Sequence, residues 1–461
     1  MTTTTTTTKT PQAFHGTLIH SKDPQTLEIL PNTLLIISST GKIQSLHPST
    51  NPTDIPTLLT QANHNPDTIP VTTLAATEFL IPGFIDTHTH APQWSQRGLG
   101  RGIPLLTWLE QITFAHEAKL ADAIYAKQLY RAAVQGSLKQ GITTACYYGS
   151  RHKDASVILA ETCLAIGQRA LIGKCNMNRH APDWYVDSSV DESVSDTVEF
   201  IAKVKELAGE TGLVTPVITP RFAITCDEHL LGELGTIVKQ NPGIPVQTHF
   251  NESHGEVDFT RELFPQFKNE TELYHNYGLL TNRTILAHAI YPQPEEFPRL
   301  KELDCGVAHC PIPNTTMDEY MIAPVREYLS CGIKVGLGTD CGGGYSSSML
   351  DVMRAAFMVS VAKQTETEGR DAPLSVAESF YLATLGGARV AGLEDRVGWF
   401  APGLEFDACL VRTSVAEGVM APVEEEDGVE GVFEKFLMTG DDRNIVRVWV
   451  KGREVKGSSS A

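Results

Sequence analysis

Two kinds of hydrophobic pattern alternate along the chain. Residues 14–46 carry short β-rich stretches, Gly16-Thr17-Leu18-Ile19-His20 and Leu34-Leu35-Ile36-Ile37, with a Thr40-Gly41-Lys42 turn before Ile43. Residues 51–67 are rich in Pro, Asn and Thr and read as an irregular loop. From residue 79 short apolar runs alternate with helix-length segments. The runs are 79–86, 142–148, 170–176, 213–219, 244–249, 284–288, 306–309 and 334–340. Between two of them Val194, Val198, Ile201, Val204 and Leu207 recur at helical spacing. Eight strands alternating with helices predict an α/β fold, a (β/α)8 TIM-like barrel; a doubly wound open sheet is the rival, which the number of runs disfavours. β-rich text returns at Phe406-Asp407-Ala408-Cys409-Leu410-Val411, at 445–450 and at Arg453-Glu454-Val455. Both flanks are expected to fold together as one small β-sandwich. The expected division is a disordered tail over 1–13, sandwich over 14–78, barrel over 79–391, sandwich again over 392–456, and a second tail over 457–461.

Composition narrows the class. The 461 residues suit a large barrel with additions, and 41% hydrophobic with 20% charged residues is an ordinary globular balance. A formal net charge of -18 argues against nucleic acid or an acidic membrane as partner, because both bind through phosphates. A free nucleobase carries no phosphate and stays open. Nine cysteines without a Cys-x-x-Cys pair point to a reducing compartment and no disulfide framework. No apolar run approaches the ~20 residues of a membrane span. The threonine-rich start is no signal peptide, so a cytoplasmic address is expected.

The chemistry gathers at the ends of the runs. The first delivers His88 and His90, and residues two apart on a strand point the same way. The fifth ends in His249, followed by Glu252; the sixth in His288; the seventh in His309; the eighth in Asp340. Barrel strands bring their C-terminal ends to one mouth. Five of the 15 histidines therefore converge with a carboxylate. His88, His90 and His249 suit Zn²⁺, with room for a water and Asp340; such an ion brings its water to hydroxide near neutral pH. Asp340 can accept the water's proton, and Glu252 can shuttle a proton to the substrate. His288 can ligate or hydrogen-bond the attacking oxygen, and His309 is expected in a supporting role. Asp86 is expected to buttress the turn. His254-Gly255-Glu256 opens like a cytidine-deaminase zinc signature, but no Pro-Cys-x-x-Cys follows. Gly342-Gly343-Gly344 lacks the lysine of a phosphate loop and reads as a tight turn.

With these residues assembled, the chain resembles the amidohydrolase superfamily and, within it, the guanine-deaminase branch. Pro82-Gly83-Phe84-Ile85-Asp86-Thr87-His88-Thr89-His90 is similar to the superfamily's metal-binding opening. Ala91-Pro92-Gln93, Thr219-Pro220-Arg221-Phe222, His249-Phe250-Asn251-Glu252-Ser253 and Gly336-Leu337-Gly338-Thr339-Asp340 resemble the branch. The resemblance implies a zinc-dependent hydrolase converting guanine to xanthine and ammonia, and a homodimer. It implies one metal, because 213–222 lacks the lysine of dinuclear members. The ligands would be His88, His90, His249, His288 and Asp340, with Fe²⁺ accepted as well as Zn²⁺. Arg221 would bind the guanine O6/N7 edge, Phe222 or Trp94 would stack on the ring, and Gln93 would meet a ring nitrogen beside C2. Cys310-Pro311-Ile312-Pro313-Asn314 departs from the family, whose strand-7 loop is more polar. Deamination of a related purine, pterin or triazine remains the alternative, and a non-catalytic scaffold a remoter one.

Overall fold

A computed structural model describes residues 10–457. Residues 1–9 and 458–461 of the expected tails lie outside the described residues. Gln12 and Ala13, also assigned to the first tail, instead open a strand: they pair with Ile37 and Ile36, and Ala13 is fully buried. This strand, β1 (Gln12–Ser21), pairs antiparallel with β2 (Leu27–Ile37), which pairs with β3 (Ile43–His47). Then β4 (Val71–Thr73) and β5 (Glu78–Pro82) both run parallel to β1.

The run expected as one strand over 79–86 is two strands in two sheets. β5 belongs with β1; β6 (Phe84–His90) begins the next sheet. The switch occurs at Gly83, whose N–H donates to Asp407 O while Phe84 N donates to Gly141 O. A β-carbon at Gly83 would lie 2.2 Å from the Thr143 side chain, so this crossing requires glycine.

From β6 onward the sheet is parallel. β7 (Ile142–Tyr148), β8 (Arg169–Gly173), β9 (Cys175–Asn176), β10 (Val214–Pro216), β11 (Thr219–Pro220), β12 (Val246–Phe250), β13 (Thr284–His288), β14 (Gly306–His309) and β15 (Lys334–Leu337) follow in the barrel order. The third and fourth runs are each broken in two, as β8 with β9 and β10 with β11. A bridge from Ile218 to Val246 carries the sheet on to β12. Between the last and first runs the contacts are individual bonds: Asp340 N to His88 O at 2.8 Å and Thr87 Oγ1 to Leu337 O at 2.8 Å. These tie the two residues that matter most chemically to one seam.

Helices cover the sheet by burying one stripe each. The helix Val190–Ala208 is capped by Ser189 and buries Thr197, Phe200, Ile201 and Val204. Val198, placed on the buried stripe by spacing, is half exposed, because the face is centred on Phe200 and Ile201.

The chain ends share one sheet. β16 (Ala408–Arg412) pairs antiparallel with β5, β17 (Ile445–Val450) with β16, and β18 (Arg453–Lys456) with β17. Its core joins distant text: Phe14 lies 5.3 Å from Phe406 and 5.1 Å from Trp449, ring to ring. Buried Arg169, opening β8, binds Asp407 through two nitrogens and Glu405 through Nη2 at 2.6 Å. That cluster fixes the terminal sheet against the base of the parallel strands. Among the described residues no helix is long and apolar enough to cross a membrane.

Candidate active site

The metal-type residues meet. His88 and His90 leave β6 on the same side, as strand alternation requires. His88 Nε2 stands 3.2 Å from Asp340 Oδ1 and His90 Nε2 stands 3.4 Å from it. His90 Nε2 lies 3.2 Å from His249 Nε2. His288 Nε2 reaches to 3.5 Å from Glu252 Oε1. All are buried, and burial, reinforced by the neighbouring imidazoles and Arg221, holds His88, His90 and His249 well below the ordinary imidazole range. They are therefore neutral, the form that binds metal.

The backbone bends to achieve this. Asn251, His288, Ala289 and Asp340 all have positive φ, from 42° to 71°, at or just past their strand ends. Left-handed residues other than glycine are uncommon and cluster where a site constrains the chain. Each end is held: His249 Nδ1 meets Arg221 O at 2.7 Å, and His288 Nδ1 meets Asn314 Oδ1 at 2.8 Å. Asp86 accepts Thr339 N at 2.9 Å and Thr339 Oγ1 at 2.6 Å, which is the buttress expected of it. Gly344 N donates to Asp340 O, closing the tight turn; a β-carbon at Gly343 would fall 2.1 Å from Asp340 Oδ2.

The donor set suits a divalent cation. His88, His249 and His288 form one group of potential ligands, and His88, His90 and Asp340 another, with the ligand atoms of each within 4.8 Å of one another. His88 Nε2 and His288 Nε2 are buried without a hydrogen-bond partner in the protein. Neutral imidazole nitrogens and a carboxylate turned towards one point, with lone pairs unspent, are what a hydrolytic metal requires. Burial raises Asp340 to about 6, opposed by His288, Arg101 and Arg221, and lifts Glu252 well above the usual carboxyl range, with Asp340 and Glu256 adding to the effect.

A cavity opens beside this cluster, lined by Gln93, Trp108, Arg221, Phe222, Met317 and Glu252 among others. Its far wall is organised by a residue that the sequence reading missed. Glu117 is fully buried and accepts four hydrogen bonds: from Arg221 Nη1 at 2.7 Å, Arg221 Nη2 at 3.2 Å, Gln93 Nε2 at 2.8 Å and Tyr185 OH at 2.7 Å. Burial alone would lower the Arg221 pKa, but the Glu117 carboxylate keeps it above its ordinary value. Nothing local marks Glu117 except a charge amid apolar text; its partners lie up to 104 residues away.

Trp94 does not reach this cavity. Residues 91–96 form a 3₁₀ turn in which adjacent side chains diverge by about 120°. Gln93 faces the cavity, so Trp94 turns away, packs on Gly136 and carries the Arg97 guanidinium 3.6 Å above its ring. The indole on the cavity wall is Trp108. Phe222 lines the cavity, its ring 6.2 Å from that of His249. His309 belongs to neither ligand group and faces a separate pocket with Ile322 and Val325. The departing segment Pro311–Asn314 is a single helical turn that presents Asn314 to His288.

Comparison with known proteins agrees with this geometry. The sequence profile of the "Amidohydrolase family" matches residues 79–455. "Probable guanine deaminase" of Schizosaccharomyces pombe is 40% identical over 96% of this chain and 83% of its own length. "Guanine deaminase" of Dictyostelium discoideum is 39% identical over 96% and 98%. A crystal structure of guanine deaminase from C. acetobutylicum with bound guanine superposes with a TM-score of 0.86 at 31% identity, covering 96% of this chain and 99% of that one. The chain therefore belongs to the amidohydrolase family, among relatives named as guanine deaminases.

Proposed function

We propose that this chain hydrolyses guanine to xanthine and ammonia in the cavity between the imidazole cluster and the Glu117 wall. The carrying observation is that one cavity joins a metal-type cluster to a buried arginine and glutamine oriented by a shared carboxylate. Arg221 spends two N–H groups on Glu117 and keeps three, enough for the O6/N7 edge of guanine. Gln93 spends one N–H on Glu117 and its carbonyl accepts Gln96 Nε2 at 3.4 Å, leaving its other N–H and a second carbonyl lone pair for the ring edge near C2. Phe222 and Trp108 supply apolar surface for the ring.

In the reaction a C2–O bond forms, the C2–N bond breaks, and the two water protons go to N3 and to the departing amine. Glu252 carries a proton to N3, and Asp340 takes the proton released as the oxygen attacks. His288 spends Nδ1 on Asn314 and has Nε2 left, which serves either as a metal ligand or to orient that oxygen. A divalent cation held by His88, His90, His249 and Asp340, with His288 in the first case as a further ligand, assigned as Zn²⁺ with Fe²⁺ the alternative, would supply Lewis-acid activation of water. A homodimer and a cytoplasmic address belong to the same proposal, and sedimentation and cell fractionation test them.

Activity on a panel of guanine, adenine, a pterin and a triazine tests the substrate; a metal-loaded protein that ignores guanine refutes it. Glu252→Gln is expected to retain metal while kcat falls by about 10²–10⁴. Wild-type turnover in that variant would remove Glu252 from the chemistry.

A further inference from the structure

Behind Glu252 stands a second set of buried carboxyl groups that the proposed reaction does not use. Glu256, Glu270 and Glu296 are 0%, 3% and 1% exposed. They come from the first turns of three helices, His254–Leu263, Glu270–Asn276 and Glu296–Glu302. All three reach the Asn251–Glu252 segment, and Glu296 also accepts Gln293 N at 2.6 Å and Thr271 Oγ1 at 2.8 Å. Glu256 Oε2 accepts Glu252 N at 3.0 Å. Glu270 Oε2 accepts Asn251 N at 3.1 Å. The Asn251 amide donates to Glu296 at 3.3 Å and 3.4 Å. Asn251 O accepts Ile290 N at 2.9 Å and Tyr291 N at 3.2 Å, and its φ is 46°. A left-handed residue persists when its surroundings over-determine it, as they do here.

The hydrogen bonds assign the protonation. Both oxygens of Glu256 accept, from Glu252 N and from Thr260 Oγ1 at 3.0 Å. Glu270 Oε2 accepts, while its Oε1 is buried with no ordinary donor facing it. Burial together with the neighbouring Glu256 drives Glu270 well above the usual carboxyl range, and burial raises Glu256 too. Two neighbouring buried carboxyl groups do not both ionise, so one must carry the proton. It sits on Glu270.

We propose that Glu256 and Glu270 are a proton-sharing positioning pair: neutral Glu270 donates to ionised Glu256, and the pair sets the 251–252 backbone so that the Glu252 carboxyl is aimed at the reacting base. This rests on the role given to Glu252 above. It explains why three acidic side chains are buried together with no lysine or arginine among their hydrogen-bond partners: the acceptors are needed by backbone and amide N–H groups, and the one surplus charge is removed by a proton.

The test uses the metal-loaded full chain and guanine. Misaiming a group by about 1 Å costs on the order of 10²-fold, so Glu256→Ala and Glu270→Ala are expected to lower kcat about 100-fold with KM within about threefold. Metal content should equal wild type. Glu270→Gln is expected to restore kcat to within about threefold, because its amide donates to Glu256 as the O–H did and its carbonyl still accepts Asn251 N. Wild-type kcat in Glu256→Ala overturns the proposal. So does a Glu270→Gln variant as impaired as Glu270→Ala, which marks a pair acting only through packing or charge. If Glu256→Ala fails to fold, the Glu270 contrast decides alone. Glu252→Gln is assayed alongside: retained turnover there removes the proton role itself, a result separable from the behaviour of the pair.

Discussion

Replacing Glu117 by glutamine probes the wall that reads the base. The carboxylate faces four donors, two on each oxygen: Gln93 Nε2 and Arg221 Nη2 on Oε1, Arg221 Nη1 and Tyr185 OH on Oε2. Glutamine has one oxygen and one NH₂, so either orientation sets donor against donor on one side. Tyr185 OH can turn to accept from the NH₂, so the least costly orientation loses one bond, that of Arg221 Nη1. Glu117 is fully buried and Arg221 is 2% exposed, so water does not replace it. A hydrogen bond to a charged group is worth about 1.5–3 kcal/mol. At about 1.4 kcal/mol per tenfold, kcat/KM for guanine should fall at least ~10-fold if the wall acts in the transition state. The assay is initial-rate guanine deamination with metal content and melting temperature measured on the same sample. Metal content should be unchanged, because Glu117 contacts none of the imidazoles. A variant within about threefold of wild-type kcat/KM would refute the claim that Glu117 orients Arg221 and Gln93 for the base.

Arg169→Met should destabilise the protein by about 3–5 kcal/mol, seen as a lower urea midpoint, since it leaves Asp407 buried without its guanidinium and Glu405 with only that of Arg396; activity of the folded fraction should persist. Gly343→Ala places a β-carbon 2.1 Å from Asp340 Oδ2, so bound metal and kcat should fall together while the melting transition stays cooperative.

Much of the site was legible because strand alternation is a rigid rule. Once His88 and His90 were read two apart on a strand, and His249, His288 and Asp340 at later strand ends, their convergence followed from the barrel. Gly83 shows the limit: the apolar run 79–85 is broken only by Pro82 and Gly83, yet the chain changes sheets there, and the close approach of Thr143 that admits only glycine is set by the fold. Trp94 and Trp108 show another. Both are indoles near Gln93, and only the phase of a 3₁₀ turn decides which faces the cavity. Glu117, Glu256 and Glu270 were out of reach for a different reason. A buried carboxyl is recognised by its partners, and those lie on other elements, so no local pattern announces it.

The central claim is that one bound metal and guanine meet in this cavity. Stripping the protein with a chelator, adding Zn²⁺ back in steps, and recording bound metal and guanine turnover on each sample tests both halves. Turnover should vanish with the metal and return in proportion to occupancy, reaching its limit near one ion per chain. Guanine turnover by the stripped protein, or none by the fully loaded one, would contradict it.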